Sequence, residues 1–277
     1  MTSETAAAST LGLIGSHASS AMSPALWNPV FSALGNGWTY VAWDVAADGD
    51  LVAVRERLIA PTVVAFNVTM PHKHWAAETA DESSPVVDAS GAANLLVRCG
   101  SRLEAHNTDI DAMVGAFASA RPGPAVILGA GGAGRAALVA LAGHPGPVLV
   151  ADGSAGAADE LVRFAQVKGL VAKAVEWSIA TDEVANASIV VNATPIGQHE
   201  EDEPAWGSGG LAKAAVLYDF VYAPHATASV EAARRTGATI IDGWQHLLMQ
   251  AEAMVPILGL PRITVSLLEA RLTELRR

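Results

Sequence analysis

The segment from Ala125 to Ala142 constrains this chain more than any other. Four apolar residues, Ala125, Val126, Ile127 and Leu128, run into Gly129, Ala130, Gly131, Gly132, Ala133 and Gly134, and an Ala- and Leu-rich helical pattern follows over Arg135 to Ala142. A G-x-G-x-x-G that closes a buried strand and opens a helix is the phosphate-binding turn of a βαβ unit. Gly129 permits the tight turn, Gly131 lets the backbone approach a pyrophosphate, and Gly134 lets helix and strand pack closely, with the helix N-terminus facing the anion. The next apolar run, Val148 to Ala151, ends at Asp152, about 20 residues past the glycines, where a carboxylate accepts hydrogen bonds from an adenosine ribose. Gly153, Ser154, Ala155, Gly156 and Ala157 follow, with no cation to meet a 2′-phosphate, so NAD is favoured over NADP. The alternative for Asp152 is a cap on the next turn.

Around this unit, short β-branched runs alternate with helical runs along nearly the whole chain, the pattern of an α/β protein with parallel strands and crossover helices. Strands are expected at Leu11 to Ile14, Trp38 to Val45 and Val63 to Val68, with helices at Ser23 to Leu34 and Asp50 to Ala60. Pro24 suits a first helical turn behind Ser23 as its cap. A second series of strands starts at Ala125 and continues through Val148 to Ala151, Val171 to Val175, Ile189 to Asn192, Val216 to Phe220 and Thr239 to Ile241. A helix over Asp109 to Ala120, then Pro122, Gly123 and Pro124, separates the two series. Beyond Gly243 only amphipathic helices are expected, Leu247 to Leu258 and Val265 to Leu275. The expected division is 1–108, completed by 244–277, and 109–243.

Charge narrows the partner. Seventeen Lys and Arg against 28 Asp and Glu give a net charge of −11, unsuited to a nucleic-acid groove or an acidic membrane surface. A small-molecule partner is expected, with the chain a monomer or homodimer. The single cysteine, Cys99, leaves no intramolecular disulfide framework and fits a reducing cytoplasm. From Thr5 to Trp43 there is no Asp, Glu, Lys or Arg, yet Gly12, Gly15, Pro24, Pro29 and Gly35 interrupt the stretch, so it is no membrane span.

Two polar clusters precede the glycine loop: Asn67, Val68, Thr69, Met70, Pro71, His72, Lys73, and then Asn107, Thr108, Asp109. Together with Ser23 and Pro24, Gly91 to Asn94, the glycine loop, Asn192 to Gly197, and Asp242, Gly243 and Gln250, they span almost the whole chain. In these motifs the sequence resembles shikimate dehydrogenase and its quinate-oxidising relatives. The resemblance implies a substrate domain, a Rossmann-type dinucleotide domain, C-terminal helices returning to the first domain, and interconversion of a ring hydroxyl and ketone on shikimate, quinate or an aminated analogue. It assigns catalysis to Lys73 and Asp109. A positioned ammonium stabilises the charge that develops on oxygen during hydride transfer and delivers a proton. Ser23, Thr69, Asn94, Tyr222 and Gln250 match substrate-side positions, and Ala193, Thr194, Val221 and Gly243 match positions near the nicotinamide. A solvated helix-start lysine and an N-capping aspartate are the plainer readings of Lys73 and Asp109.

The chain departs from the family at several of these places. The usual carboxylate clamp, S-x-S-P, reads Ala21, Met22, Ser23, Pro24, so one hydroxyl is missing; a shifted loop would let Ser19 or Ser20 supply it. Trp27 replaces the usual histidine, Ile110 a glycine, and Trp244, Gln245 and His246 a smaller Leu-Gly-Met, bulk expected to reshape the pocket. Asp152, Gly153 and Ser154 stand where Asn-Arg-Thr often holds the NADP phosphate. These losses leave a catalytically weak sensor of dinucleotide or ring acid as the alternative function, while a folate-type dehydrogenase on the same plan is disfavoured by the N-T-D motif. His72 and His74 make a poor metal site without a third ligand, so no metal is expected. Glu200 to Glu203 read as a solvated loop, and Cys99 as structural rather than nucleophilic.

Overall fold

The computed structural model describes residues 9–35, 37–223, 225–260 and 265–275. These fall into two compact units. One runs as far as Thr108 and resumes at Gln250; the other is Asp109–Met249.

The first unit is built on β1 (Ser9–Gly15), α1 (Ser23–Leu34), β2 (Trp38–Asp44), α2 (Leu51–Leu58), β3 (Val63–Val68), α3 (Lys73–Thr79), β4 (Glu82–Ser83), α4 (Pro85–Ser90), β5 (Leu95–Cys99) and β6 (Arg102–His106). Its sheet order is β2-β1-β3-β5-β6-β4. β1, β2 and β3 are parallel, as the alternating pattern implies, whereas β5 runs antiparallel to both β3 and β6. Within this half of the sheet, β6 runs antiparallel to β5 because Gly100, at φ +70°, turns the chain within two residues between Cys99 and Arg102. Hairpins of that length need no crossover helix. Phe66, Leu96 and Leu103 fill the core on one face, with Val54 and Leu58 of α2. The charge-free stretch from Thr5 to Trp43 enters this unit as β1, α1 and β2, and Leu11, Ile14, Leu26, Trp27 and Phe31 are all essentially buried. Each such side chain stabilises the fold by roughly 1.5–3 kcal/mol. Trp27 is thus a core residue stacked on Phe31.

In the second unit, α5 (Thr108–Phe117) leads into β7 (Ala125–Leu128), α6 (Gly132–Ala140), β8 (Val148–Ala151), α7 (Ala157–Val167), β9 (Lys173–Ala174), α8 (Trp177–Glu183), β10 (Ile189–Asn192), β11 (Val216–Asp219), α9 (Ala228–Thr236) and β12 (Thr239–Ile241). All strands are parallel, in the order β12-β11-β10-β7-β8-β9. That is the doubly wound arrangement, whose ligand crevice opens at the carboxyl ends of the two strands where the order reverses, here β7 and β10. The strand expected at Val171 to Val175 shrinks to two edge residues, and Val171 is 87% exposed. An edge position next to β8 alone cannot bury both faces of an apolar run. Helix α6 begins at Gly132, three residues before the expected Arg135, because the second half of the glycine loop is already helical.

Helix α10 (Gly243–Ile257) continues from β12, and α11 (Val265–Leu275) lies against α1, where the Arg271 guanidinium donates to the Ala25 carbonyl at 3.1 Å. No helix among the described residues is long and apolar enough to cross a membrane.

Candidate active site

In the first unit Thr69 follows β3 and Asn94 precedes β5, two residues expected on the substrate side, at the end of the sheet where β1 also ends. Ser23 is the first helical residue of α1, and the cap is Met22. Its hydroxyl therefore does not cap the helix as its place before Pro24 suggests; it hydrogen-bonds the Tyr40 phenol. Burial pushes that phenol well above its ordinary range and Ser23 offsets only part of the effect, so Tyr40 stays protonated. The Tyr40 hydroxyl donates to Asn67 Oδ1 at 2.8 Å, and Asn67 Nδ2 donates to the Asn94 carbonyl at 3.2 Å. Asn94 in turn accepts the Thr108 N–H on Oδ1 at 2.8 Å and donates from Nδ2 to Thr108 Oγ1 at 3.0 Å. A continuous buried chain of polar groups thus links Ser23 to the start of α5.

Thr69 leaves β3 with its N–H on the Ile14 carbonyl at 2.8 Å. Its side chain lies where a Cβ at Gly15 would sit, 2.3 Å away, so the glycine is required for the close approach. Lys73 opens α3, and both neighbouring histidines fix that helix start. His72 Nε2 lies 2.8 Å from the Val45 carbonyl, His74 Nδ1 lies 2.7 Å from that of Gly91, and the Lys73 carbonyl accepts the Ala93 N–H at 2.9 Å. The histidines flanking Lys73 serve as backbone anchors.

In the loop ahead of α1, the two serines that the sequence offers in place of the missing hydroxyl have partners within the protein. Ser19 donates to Asp44 twice, from its N–H at 2.8 Å and its hydroxyl at 2.6 Å, and the Ser20 hydroxyl donates to the His17 carbonyl at 2.8 Å. The Ser19 hydroxyl, followed by its N–H, holds the Asp44 carboxyl below its usual range. The Ser19 hydroxyl is thus engaged by the end of β2 and that of Ser20 within its own loop.

In the second unit the glycine loop meets the end of β10. Gly129, at φ +102°, would place a Cβ 2.6 Å from the Ala193 carbonyl, and a Cβ at Gly134 would lie 2.0 Å from the Gly129 carbonyl. Gly131 and Gly132 face open space instead. No side chain caps α6, so its first N–H groups, from Gly132 and Ala133 onward, form an anion cradle of the kind a pyrophosphate fits. Asp152 Oδ2 accepts the Ala130 N–H at 2.7 Å while Oδ1 accepts the Ser154 N–H at 2.7 Å. The turn-capping alternative is therefore part of its role, and the same carboxylate braces the loop. Beyond β10, Thr194 donates its hydroxyl to Asn192 Oδ1 at 2.6 Å, and Asn192 Nδ2 reaches Asp219 Oδ1 at 2.9 Å.

Asp109 lies in the first turn of α5, where the helix N-terminus favours a carboxylate. Its Oδ1 is 3.3 Å from His246 Nε2, and His246 Nδ1 is 2.6 Å from the Tyr218 hydroxyl. Tyr222 packs edge-on to Trp244, which donates its indole N–H to the Ala223 carbonyl at 3.1 Å. Gly243 approaches the Val221 carbonyl so closely that a Cβ would sit 2.8 Å from it, which brings Val221 and Gly243 together as the motifs imply. Gln250 is one helical turn beyond His246 on α10.

Comparison with known proteins places this geometry. The family model described as the shikimate dehydrogenase substrate binding domain matches residues 13–96. A shikimate dehydrogenase (NADP(+)) of Geobacter metallireducens is 33% identical over 257 residues, covering 89% of this chain and 90% of that protein. The chain belongs to the shikimate dehydrogenase family. It is accordingly an NAD(P)-dependent oxidoreductase. Among solved structures, the quinate dehydrogenase of Corynebacterium glutamicum in complex with NAD superposes with a TM-score of 0.86 at 27% identity, covering 96% of this chain and 99% of that one. The ligand-free 5-ketofructose reductase of Gluconobacter sp. superposes with a TM-score of 0.84 at 25% identity, covering 97% and 99%.

Within this family frame, three residues central to the geometry escape a motif reading. Tyr40 links Ser23 to Asn67. Asp219, fully buried, accepts from Asn192, the Val221 N–H at 3.1 Å and the Thr227 hydroxyl at 2.7 Å, tying the loop after β10 to the cap of α9. An acid that closes an apolar strand, in register with the Asn that closes its neighbour, is the signal that marks it. His246 is the third, read above only as bulk. Ile110 is fully buried in the core. In the acidic run, Asp202 accepts the N–H of Gly197 at 2.7 Å and of His199 at 3.1 Å, which holds its carboxyl below the usual range and makes it a turn brace. Cys99 is exposed, and desolvation together with Glu104 raises its thiol, leaving a poor nucleophile.

Proposed function

We propose that this enzyme interconverts a secondary ring hydroxyl and its ketone on shikimate or a close analogue such as quinate, with NAD preferred. The observation that carries this reading is Lys73 at a helix start anchored from Val45, Gly91 and Ala93, in a unit that also holds Ser23, Thr69 and Asn94. The unit ending at Thr108 and resumed by the C-terminal helices serves as the substrate domain, and the doubly wound unit as the dinucleotide domain, in a cytoplasmic enzyme. NAD, when bound, accepts or supplies the hydride. The chain's own task is the proton: the Lys73 ammonium donates to the oxygen that gains charge on reduction and takes the proton back on oxidation, while Asp109 orients the reacting hydroxyl and ammonium. Ser23, Thr69, Asn94, Tyr222 and Gln250 hold the polar edge of the substrate. Gly129 to Gly134, Asp152, Ala193, Thr194, Val221 and Gly243 hold the dinucleotide. Support for NAD is the carboxylate of Asp152 at the ribose position and the lack of a cation over Gly153 to Ala157.

A second reading is a polyhydroxy ketone without a carboxylate, favoured by Ala21 with Ser19 and Ser20 both engaged, and by the likeness to a protein named 5-ketofructose reductase. Steady-state assays of shikimate, quinate, aminoshikimate and 5-ketofructose with each dinucleotide separate the two readings. Turnover confined to the ring acids supports the first, and turnover confined to the ketose supports the second. Lys73→Ala is expected to lower kcat about 100-fold or more while the Kd for NAD holds; full activity in that variant removes the proposed proton donor.

A further inference from the structure

His246, in the first turn of α10, is 6% exposed. A buried imidazole needs partners on both nitrogens, and this one has them from two different elements. Tyr218, 0% exposed on β11, lies 2.6 Å from Nδ1, and Asp109, 7% exposed on α5, lies 3.3 Å from Nε2. Burial, reinforced by the negative field of Asp109, pushes the Tyr218 phenol far above its ordinary range, so the phenol keeps its proton. The tautomer in which Nδ1 accepts from that phenol carries its ring proton on Nε2, 3.3 Å from Asp109 Oδ1. Phe220 closes one side of the imidazole at 5.1 Å, and the His246 backbone N–H is on the Asp242 carbonyl at 2.8 Å. The titratable groups of this unit around the ring are Asp109, Tyr218, Asp242 and Tyr222, the last 45% exposed as a residue and raised by desolvation, then by the fields of Asp109 and Asp242.

We propose that His246 is a positioning residue for Asp109: the Tyr218 hydroxyl fixes its tautomer, and its Nε2–H fixes the rotamer and favours the ionised form of the Asp109 carboxylate. The inference rests on the reading of Asp109 as part of the catalytic pair. A hydrogen bond donated to a carboxylate stabilises its charged form, so removing the donor raises the pH at which Asp109 ionises. Freeing the carboxylate's rotamer also costs orientation, and misplacement by about 1 Å costs on the order of 100-fold in rate.

The test uses the full-length enzyme with its active ring substrate and NAD. His246→Met, an apolar side chain of similar length, is expected to lower kcat about 10- to 100-fold, to move the acidic limb of the kcat/KM profile to higher pH, and to leave the Kd for NAD unchanged. His246→Gln, which keeps an N–H at the Nε2 position, is expected to restore most of the rate and the original limb. Tyr218→Phe keeps the ring, frees the tautomer and is expected to move the limb in the same direction as His246→Met. Wild-type rate and pH profile in His246→Met, alongside an inactive Asp109→Asn, overturn the proposal. Where His246→Met fails to fold, an unmoved limb in Tyr218→Phe overturns it instead. An active Asp109→Asn overturns the underlying assignment of Asp109 and the positioning role with it.

Discussion

Asp152 accepts the backbone N–H of Ala130 at 2.7 Å, so the acid expected to meet a ribose also holds the glycine loop in shape. Each oxygen takes one backbone donor, and a carboxylate has acceptor capacity beyond that for a diol.

Replacing Asp152 by Asn keeps size but leaves one acceptor oxygen for two N–H groups and one ribose. The expected outcome is a fall in kcat/KM for NAD of about 10- to 100-fold, corresponding to about 1.5–3 kcal/mol for hydrogen bonds to a charged group. The value for NADP is expected to fall less or to rise, because the repulsion toward a 2′-phosphate is gone. Parallel kinetics with both dinucleotides check it, and an unchanged NAD to NADP ratio contradicts the role given to Asp152.

Ala21→Ser restores the second clamp hydroxyl, since Ser19 and Ser20 are turned to Asp44 and His17. If the substrate carries a carboxylate at this place, KM for shikimate or quinate is expected to drop about tenfold, the equivalent of ~1.5 kcal/mol for a hydrogen bond to a charged group. A neutral ketose gains nothing from the added donor. Measuring KM for the acid and the ketose in the same variant therefore reports the substrate class directly.

Two glycines of the loop separate folding from binding. A Cβ at Gly134 meets the Gly129 carbonyl at 2.0 Å, so Gly134→Ala has to push helix from strand, at a cost of about 1–3 kcal/mol. A lower Tm by several degrees and weaker NAD binding are both expected. At Gly131 a Cβ meets nothing, so Gly131→Ala is expected to keep the wild-type Tm and lose affinity only. Calorimetry with and without NAD distinguishes the two variants.

Asp219 supplies a pH dependence of known sign. Burial raises its carboxyl above the usual range, outweighing the hydrogen bonds from Thr227, Val221 and Asn192. The native state thus binds this proton more tightly than the unfolded chain. Its contribution to stability is complete below the ordinary Asp pKa and is lost as pH rises through the native value. Asp219→Asn removes that dependence but misplaces a donor opposite Thr227, and is expected to cost about 1–3 kcal/mol. Urea unfolding of both proteins across pH 4 to 8 is expected to show the wild-type advantage shrinking as pH rises. A constant difference contradicts the assignment.

How far the site was legible in the sequence depends on how local each constraint is. Gly129, Gly131 and Gly134 are readable because a tight turn and a close helix approach each forbid a side chain, whatever the rest of the chain does. Lys73 is readable because it sits in a contiguous N-V-T-x-P-x-K run. His72 and His74, in contrast, look like a question about metals until Val45 and Gly91 are brought to them. Ser23 looks like a helix cap until Tyr40 arrives from the next strand and takes its hydroxyl.

The sequence by itself determined the α/β class, the phosphate loop, the order of the motifs and the missing clamp hydroxyl, because periodicity, glycine sterics and side-chain identity act over a few bonds. Tertiary structure decided which way β5 runs, that Ser19 bonds Asp44 and Ser20 bonds the His17 carbonyl, and that His246 touches Asp109. A hydrogen bond depends on distance and direction in space, and positions 109, 218 and 246 acquire both only when α5, β11 and α10 pack.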